Sequence, residues 1–168
     1  QLMVQYDGFF NGSYAIRLTV MTINGIEADT GWQSFTVTYS VSNLRGLLQV
    51  ENYNGNVYIK WPMVRYINGT VTGNYSITGN QLILSEGATA TWNTSNGGTM
   101  EFPAPYTIVW QGTMISGTAW EITGEGHSMS FVIGNEQFSL VMDSTTLYTN
   151  TFEGADSRKW LVIITPSQ

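Results

Sequence analysis

The chain contains no cysteine. Disulfide staples, thiolate nucleophiles and cysteine-based zinc sites are therefore excluded. Charge is also scarce: charged residues are 11% of the 168, against roughly 25% in an ordinary globular protein. Only six are Lys or Arg, and they are scattered along the whole chain. No basic patch exists to follow a phosphate backbone, so nucleic acid is not an expected partner. Nor is there one to hold an anionic membrane surface. The single histidine, His127, rules out a His-rich zinc or copper site. No apolar run reaches the roughly 18 residues that a membrane-spanning helix needs. A phosphate-cradling loop, a dinucleotide fingerprint and an EF-hand loop are all missing, and no cofactor is implied. Helical periodicity is missing too. The best helical candidate is Ile26 to Trp32, one turn at most.

What remains is an apolar, sparsely charged chain with the pattern of strands. Hydrophobic residues make up 42%, enough for one domain of this length to bury a core without staples. Phe35, Val37, Tyr39 and Val41 alternate with Ser34, Thr36, Thr38 and Ser40. Such period-2 alternation places one face in the core and one in water. Ile16, Leu18 and Val20 repeat it, as do Val57, Ile59 and Trp61, Met129, Phe131 and Ile133, and Phe138, Leu140 and Met142. Turn signals separate the runs: Asp7-Gly8, Asn24-Gly25, Asn54-Gly55, Asn68-Gly69, Gly97-Gly98, and Gly134-Asn135, which reads as a hairpin. Many short, uneven strands without an internal repeat predict an all-β antiparallel sandwich.

Two stretches break the alternation. Trp61-Pro62, and Pro103 with Pro105, put proline where a ladder donor is needed, so each marks an edge, a bulge or a break. Trp160 to Ile164 is apolar on both faces. That strand is expected deep in a sheet, where it could flank a groove awaiting a further strand.

Candidates for chemistry are few. His127, Asp143 and a serine would compose a triad, but no Gly-x-Ser-x-Gly elbow positions a nucleophile. A glycosidase needs two carboxylates about 5–10 Å apart. Glu51, Glu101, Glu121, Glu125, Glu136 and Asp143 are the available acids, and Glu121 follows Trp120. Six Trp and nine Tyr leave open a carbohydrate-binding face. Alternation instead assigns Trp61, Trp110 and Trp120 to the core and leaves Tyr58 exposed beside Lys60. No pairing stands out as catalytic, and the chain is expected not to be an enzyme.

Four Asn-x-Ser/Thr sequons begin at Asn11, Asn68, Asn74 and Asn93. Asn11, Asn68 and Asn93 fall in loop-like stretches where a glycan can project. Asn74 has strand-like neighbours, Tyr75 and Ile77. The chain opens with Gln1 and no basic-apolar leader, and the reading is a mature secreted chain whose signal peptide has been removed. Leu2, Val4 and Tyr6 alternate with Met3 and Gln5 before the Asp7-Gly8 joint. Such a terminal strand either pairs within its own domain or completes the sheet of a neighbouring copy.

A cysteine-free, sequon-bearing, all-β chain that opens with a free strand resembles the donor-strand pilins, and within them the glycosylated thread subunits of archaea. The resemblance implies an immunoglobulin-like or pilin-like sandwich completed by an exchanged N-terminal strand. Residues 1–10 would be the donor strand and joint, and residues 11–168 the single domain. Leu2, Val4 and Tyr6 would be the inserted side chains. It also implies a homopolymer of identical subunits bearing N-glycans at the cell surface, acting in adhesion or biofilm. The bacterial relatives commonly carry a disulfide, which this chain cannot form. A secreted carbohydrate-binding module is the alternative reading, and a small glycoside hydrolase the third.

Overall fold

The strongly alternating runs become strands. The computed structural model describes residues 12–22, 25–37, 47–60, 70–79, 81–93, 107–113, 116–124, 127–134, 137–151 and 159–166. The strands are β1 (Gly12–Thr22), β2 (Gly25–Asp29), β3 (Gln33–Val37), β4 (Leu47–Asn52), β5 (Asn56–Lys60), β6 (Thr70–Thr72), β7 (Tyr75–Thr78) and β8 (Gln81–Leu84). They continue with β9 (Thr89–Asn93), β10 (Thr107–Gly112), β11 (Gly117–Gly124), β12 (His127–Gly134), β13 (Gln137–Met142), β14 (Thr145–Thr151) and β15 (Lys159–Pro166). There is no helix among the described residues.

Two antiparallel sheets pack as a sandwich. One has the order β2-β1-β15-β10-β5-β8-β7, with β3 also paired to β1; the other runs β14-β13-β12-β11-β4-β9-β6. On β1, β3 pairs with Gly12–Ile16 and β2 with Thr19–Thr22. Thr30 fills the gap between them. Its hydroxyl accepts from the Leu18 N–H at 3.0 Å, and its own N–H donates to the Leu18 carbonyl at 3.0 Å. At this side of the sandwich β14 comes against β3.

Core and solvent faces follow the alternation. In the first sheet, the cross-strand registers align Ile16, Ile164, Ile108, Ile59 and Leu82 in one row. Leu18, Val162, Trp110, Val57 and Leu84 make a second row beside it. All ten are at most 1% exposed. Burying an Ile, Leu or Val side chain contributes about 1.5–3 kcal/mol, so these rows contribute strongly to the sandwich's stability. Across the interface Trp110 meets Phe131 at 5.8 Å and Trp160 meets Phe138 at 4.0 Å between ring centroids. Trp110 and Trp120 are core residues, as alternation predicts. Trp61 lies outside the described residues.

The Asn54-Gly55 turn carries the chain from one sheet to the other. Gly55 has φ 64°, and a Cβ there would lie 2.0 Å from the Gln111 carbonyl oxygen, so only glycine fits. Buried Asn52 locks the arch by donating through Nδ2 to the carbonyls of Gly55 at 2.8 Å and Leu84 at 3.0 Å. The Trp110 indole donates to the Asn54 carbonyl at 2.7 Å.

Two expectations are corrected. The first part of the helical candidate, Ile26 to Asp29, belongs to strand β2. Its backbone pairs with β1, and a register shift between Val20 and Met21 disturbs the simple alternation. Trp160–Ile164 does lie deep in its sheet, but it flanks no vacant groove: β1 pairs along one side of β15 and β10 along the other. The room beside it is filled by the chain's own strands.

Candidate functional site

Most of the sequence-derived site residues are not among the described ones. Leu2, Val4, Tyr6, Asn11 and Asn68 lie outside them. Asn93 ends β9, where its backbone pairs with Leu47. Asn74 stands in the turn that crosses from β6 in one sheet to β7 in the other, and it is exposed. Its carbonyl accepts the Ser85 N–H at 3.0 Å. Gly73 makes the turn with φ 86°, and a Cβ there would come within 2.9 Å of Ala88 Cα.

His127 and Asp143 do come together. His127 Nδ1 is 2.5 Å from Asp143 Oδ2, and the Ser128 N–H donates to Asp143 Oδ1 at 2.9 Å. The Asp143 N–H in turn donates to the Ser128 carbonyl at 2.9 Å. Asp143 and Ser144 have φ 49° and 69°, the positive pair of a two-residue type I′ hairpin between β13 and β14. Desolvation pushes the Asp143 carboxyl up, but the hydrogen bonds from His127 and Ser128 and the attraction of His127 hold it below its ordinary range. The arrangement is a staple that fixes the β13–β14 turn to the start of β12. That turn has no glycine, so the sequence does not announce it.

Glu51 and Glu121 also meet. They stand directly opposite each other on β4 and β11, at a cross-strand Cβ spacing of about 4.5–5.5 Å. The Tyr53 hydroxyl donates to Glu51 Oε2 at 2.6 Å, and Ser130 Oγ donates to Glu121 Oε2 at 3.2 Å. The Glu51 hydrogen bond, burial, and the charges of Glu51 and Glu121 push the Tyr53 hydroxyl up to about 12. Tyr53 itself is 45% exposed. This is an open-faced cluster formed by β4, the residue just after it, β11 and β12. Glu101, Glu125 and Glu136 lie outside the described residues. Among the described residues no three His, Asp or Glu side chains converge as metal ligands would. Elsewhere Arg17 forks onto Asp29, with Nη2–Oδ2 at 2.6 Å and Nε–Oδ1 at 3.1 Å, and its guanidinium lies 5.9 Å from the exposed Trp32 ring.

The most unusual feature is the rim at β7. Tyr75 pairs with Leu84 and Ile77 with Leu82, so the two side chains extend the two core rows of the first sheet by one position each. Tyr75 is nevertheless 50% exposed and Ile77 51%. The opposite rim is different: on β3, Phe35 and Val37 are buried, and on β14, Leu147 and Tyr148 pack partly against the core. The alternation Tyr75-Ser76-Ile77-Thr78 is visible in the sequence, but nothing in it says that this strand ends a sheet. No protein-family model matches the chain, and neither a curated protein nor a solved structure does.

Proposed function

We propose that this chain is a structural subunit of an extracellular surface filament, polymerising head-to-tail through strand addition and bearing N-glycans. The observation that carries the reading is the β7 rim. Among the described residues β7 ends its sheet, and two rows of core side chains run out into solvent there, with no charge, no proline and no bulge in Tyr75-Ser76-Ile77-Thr78. Soluble proteins normally guard such an edge, because its free N–H and C=O groups and apolar side chains recruit other strands. An unguarded edge suits a protein whose working state supplies the missing strand. A strand of one subunit on the edge of the next is a heterologous contact, and such contacts propagate into fibres. The scarcity of charge on the chain fits lateral packing of subunits better than it fits a freely diffusing monomer.

The test is the size of the native material. Light scattering after size exclusion, together with electron microscopy, is expected to show long unbranched filaments of a single polypeptide. A monodisperse monomer at high concentration overturns the reading.

The cluster of Tyr53, Glu51, Glu121 and Ser130 supports a second reading, a carbohydrate-binding module. An exposed ring beside hydrogen-bonding oxygens is a feature that saccharides recognise. Glycan-array binding that is lost in Tyr53→Ala would favour it, and binding to no saccharide would remove it.

A further inference from the structure

We propose that the free subunit covers its β7 edge with the β7 edge of a second copy, the two strands pairing antiparallel about a two-fold axis at Ser76. The inference goes beyond the filament reading and does not rest on it. A symmetric contact closes on itself, so it holds two free subunits and builds no fibre. A strand that adds to β7 would displace it.

The backbone fixes the register. The Asn74 carbonyl turns toward β8, where it accepts the Ser85 N–H. Along a strand the N–H and C=O groups of alternate residues point to opposite edges. Ser76 and Thr78 therefore direct theirs at their β8 partners Ile83 and Gln81, and Tyr75 and Ile77 direct theirs outward. A two-fold axis at Ser76 sets Tyr75 opposite Ile77 of the second copy, and Ile77 opposite its Tyr75. Each of these pairs then exchanges both of its N–H···O=C bonds.

The side chains agree with the backbone. Tyr75 and Ile77 extend the core rows and are half exposed. In this register an aromatic ring meets a β-branched side chain on either side of the axis, a favourable cross-strand pair. The core rows of one copy run on into the other. Neighbouring registers lose this match. An axis at Ile77 sets Tyr75 opposite Gly79, and an axis at Tyr75 sets Ile77 opposite Gly73. Those glycines have φ 58° and 86° and have turned out of the strand. A slip of one residue sets Ser76 opposite Ile77 and turns the core face of one copy to the solvent side of the other.

Charge selects a like edge as the occupant. In a symmetric pair a charge near the axis meets its own copy, and β7 carries none. Among the other described rim strands, β2 carries Glu27 and Asp29, and β6 offers Val71 alone. The apolar residues of β3 and β14 already belong to the core or pack against it. Each copy has a net charge of −6, so salt is expected to strengthen the dimer by screening. Two four-residue edges make a small contact beside the roughly 800 Å² per partner of a standard interface. The dimer is therefore expected at high subunit concentration and dissociates on dilution.

Ser76 belongs to the Asn74 sequon, so every chain, wild type included, is made in a host that adds no N-glycans. Ser76 and its copy form the close, non-hydrogen-bonded pair on the axis, with Cα atoms about 4.5 Å apart. A disulfide bridges about 4.4–6.8 Å. Thr78 and its copy lie roughly 14 Å apart in the same register. No native cysteine competes. Mild oxidation of Ser76→Cys is expected to give a reducible dimer, and Thr78→Cys, equally exposed, is expected to give many-fold less. Sedimentation equilibrium needs no cysteine. Wild type is expected to dimerise, and Ser76→Lys alone and Ser76→Glu alone to stay monomeric at the same concentration, because like charges meet on the axis. Mixing the two is expected to restore a dimer containing one of each. Ser76 is exposed, so both variants are expected to fold.

Thr78→Cys that cross-links as readily as Ser76→Cys would mean collision without register and overturn the proposal. So would a wild type that stays monomeric at high concentration and high salt, a dimer that salt dissolves, or Ser76→Lys that dimerises like wild type. Filaments in native material without dimers of the free subunit would overturn this proposal and leave the filament reading standing. Dimers without filaments would overturn the filament reading and support this contact.

Discussion

Glu51 and Glu121 face each other across the β4–β11 pair, and each accepts one hydrogen bond, from Tyr53 and Ser130 respectively. Like charges directly opposite on neighbouring strands are destabilising, by about 0.2–1 kcal/mol. Glu121→Gln removes one charge and keeps the shape, so it is expected to raise the urea midpoint slightly. A clear loss of stability would show that the second carboxylate holds something the repulsion does not outweigh. The same variant bears on chemistry. The chain is expected to hydrolyse no polysaccharide; turnover by wild type that Glu121→Gln abolished would make this pair an acid and its partner.

Asn52 is the polar centre of the arch between the sheets. It is 1% exposed and donates to two carbonyls, those of Gly55 and Leu84. Asn52→Ala would leave the buried Leu84 carbonyl and the partly buried Gly55 carbonyl without this donor, at about 1–3 kcal/mol for a buried acceptor and less for a partly buried one. A loss of about 2–5 kcal/mol in chemical denaturation is expected. Gly55→Ala is expected to cost at least as much, because its Cβ would overlap the Gln111 carbonyl and its φ is positive. If both variants unfold like wild type, the arch does not hold the sheets together.

How far the sequence was legible depends on whether the cause was local. Alternation is local, and it placed Ile16, Val57, Phe131 and Leu140 in the core, where they lie. Asn54-Gly55 announced a turn, but not that the turn changes sheets, since that depends on which strands pair later in the chain. The best helical candidate, Ile26 to Trp32, overlaps β2, whose alternation is disturbed because Val20 and Met21 pair with Ala28 and Ile26 and one β2 residue is left out of register. The meeting of Glu51 with Glu121 spans 70 positions of sequence and needs the β4–β11 register to exist. The exposure of Ile77 is the most distant effect of all. Its strand reads like any other, and only the sheet order makes it an edge.

Acid stability should depend on two carboxylates. Asp29 is held low by the Arg17 hydrogen bonds and the Gly31 N–H, and Asp143 is held low, against desolvation, by His127 and Ser128. Each binds its proton more weakly in the folded chain than in the unfolded one. Their stabilisation is therefore complete above the unfolded value of about 3.9 and fades as the pH falls through the lower folded value. Asp143→Asn keeps a residue that tolerates the positive φ and removes the charge. Its melting temperature is expected to fall below that of wild type near neutrality, with the gap closing as the pH drops below about 4. Added salt should narrow the Asp29→Asn gap, because Arg17 and Asp29 are solvent-exposed enough to be screened. A gap that widens in acid would contradict the sign of both shifts.

Asn74 gives the last prediction. Among the four sequons it is the one whose backbone and side chain are both described, and it stands exposed in the turn before β7. Its peptide is fixed by the Ser85 N–H, so the side chain leaves the body of the protein in a defined direction. A glycan there would sit beside Tyr75 at the unguarded rim. It would cover part of the edge without filling the line of backbone groups along β7, and would discourage random pairing while leaving a specific strand room to add. Material from the native host is expected to carry sugar at Asn74 as well as at Asn11, Asn68 and Asn93. Intact-mass and glycopeptide analysis check this, and Asn74→Gln should lower the mass by one glycan. The same variant is expected to aggregate faster on heating than wild type, while its melting temperature hardly moves. A native polypeptide with the unmodified mass refutes the glycan, and equal aggregation of glycosylated wild type and variant refutes its guarding of the edge.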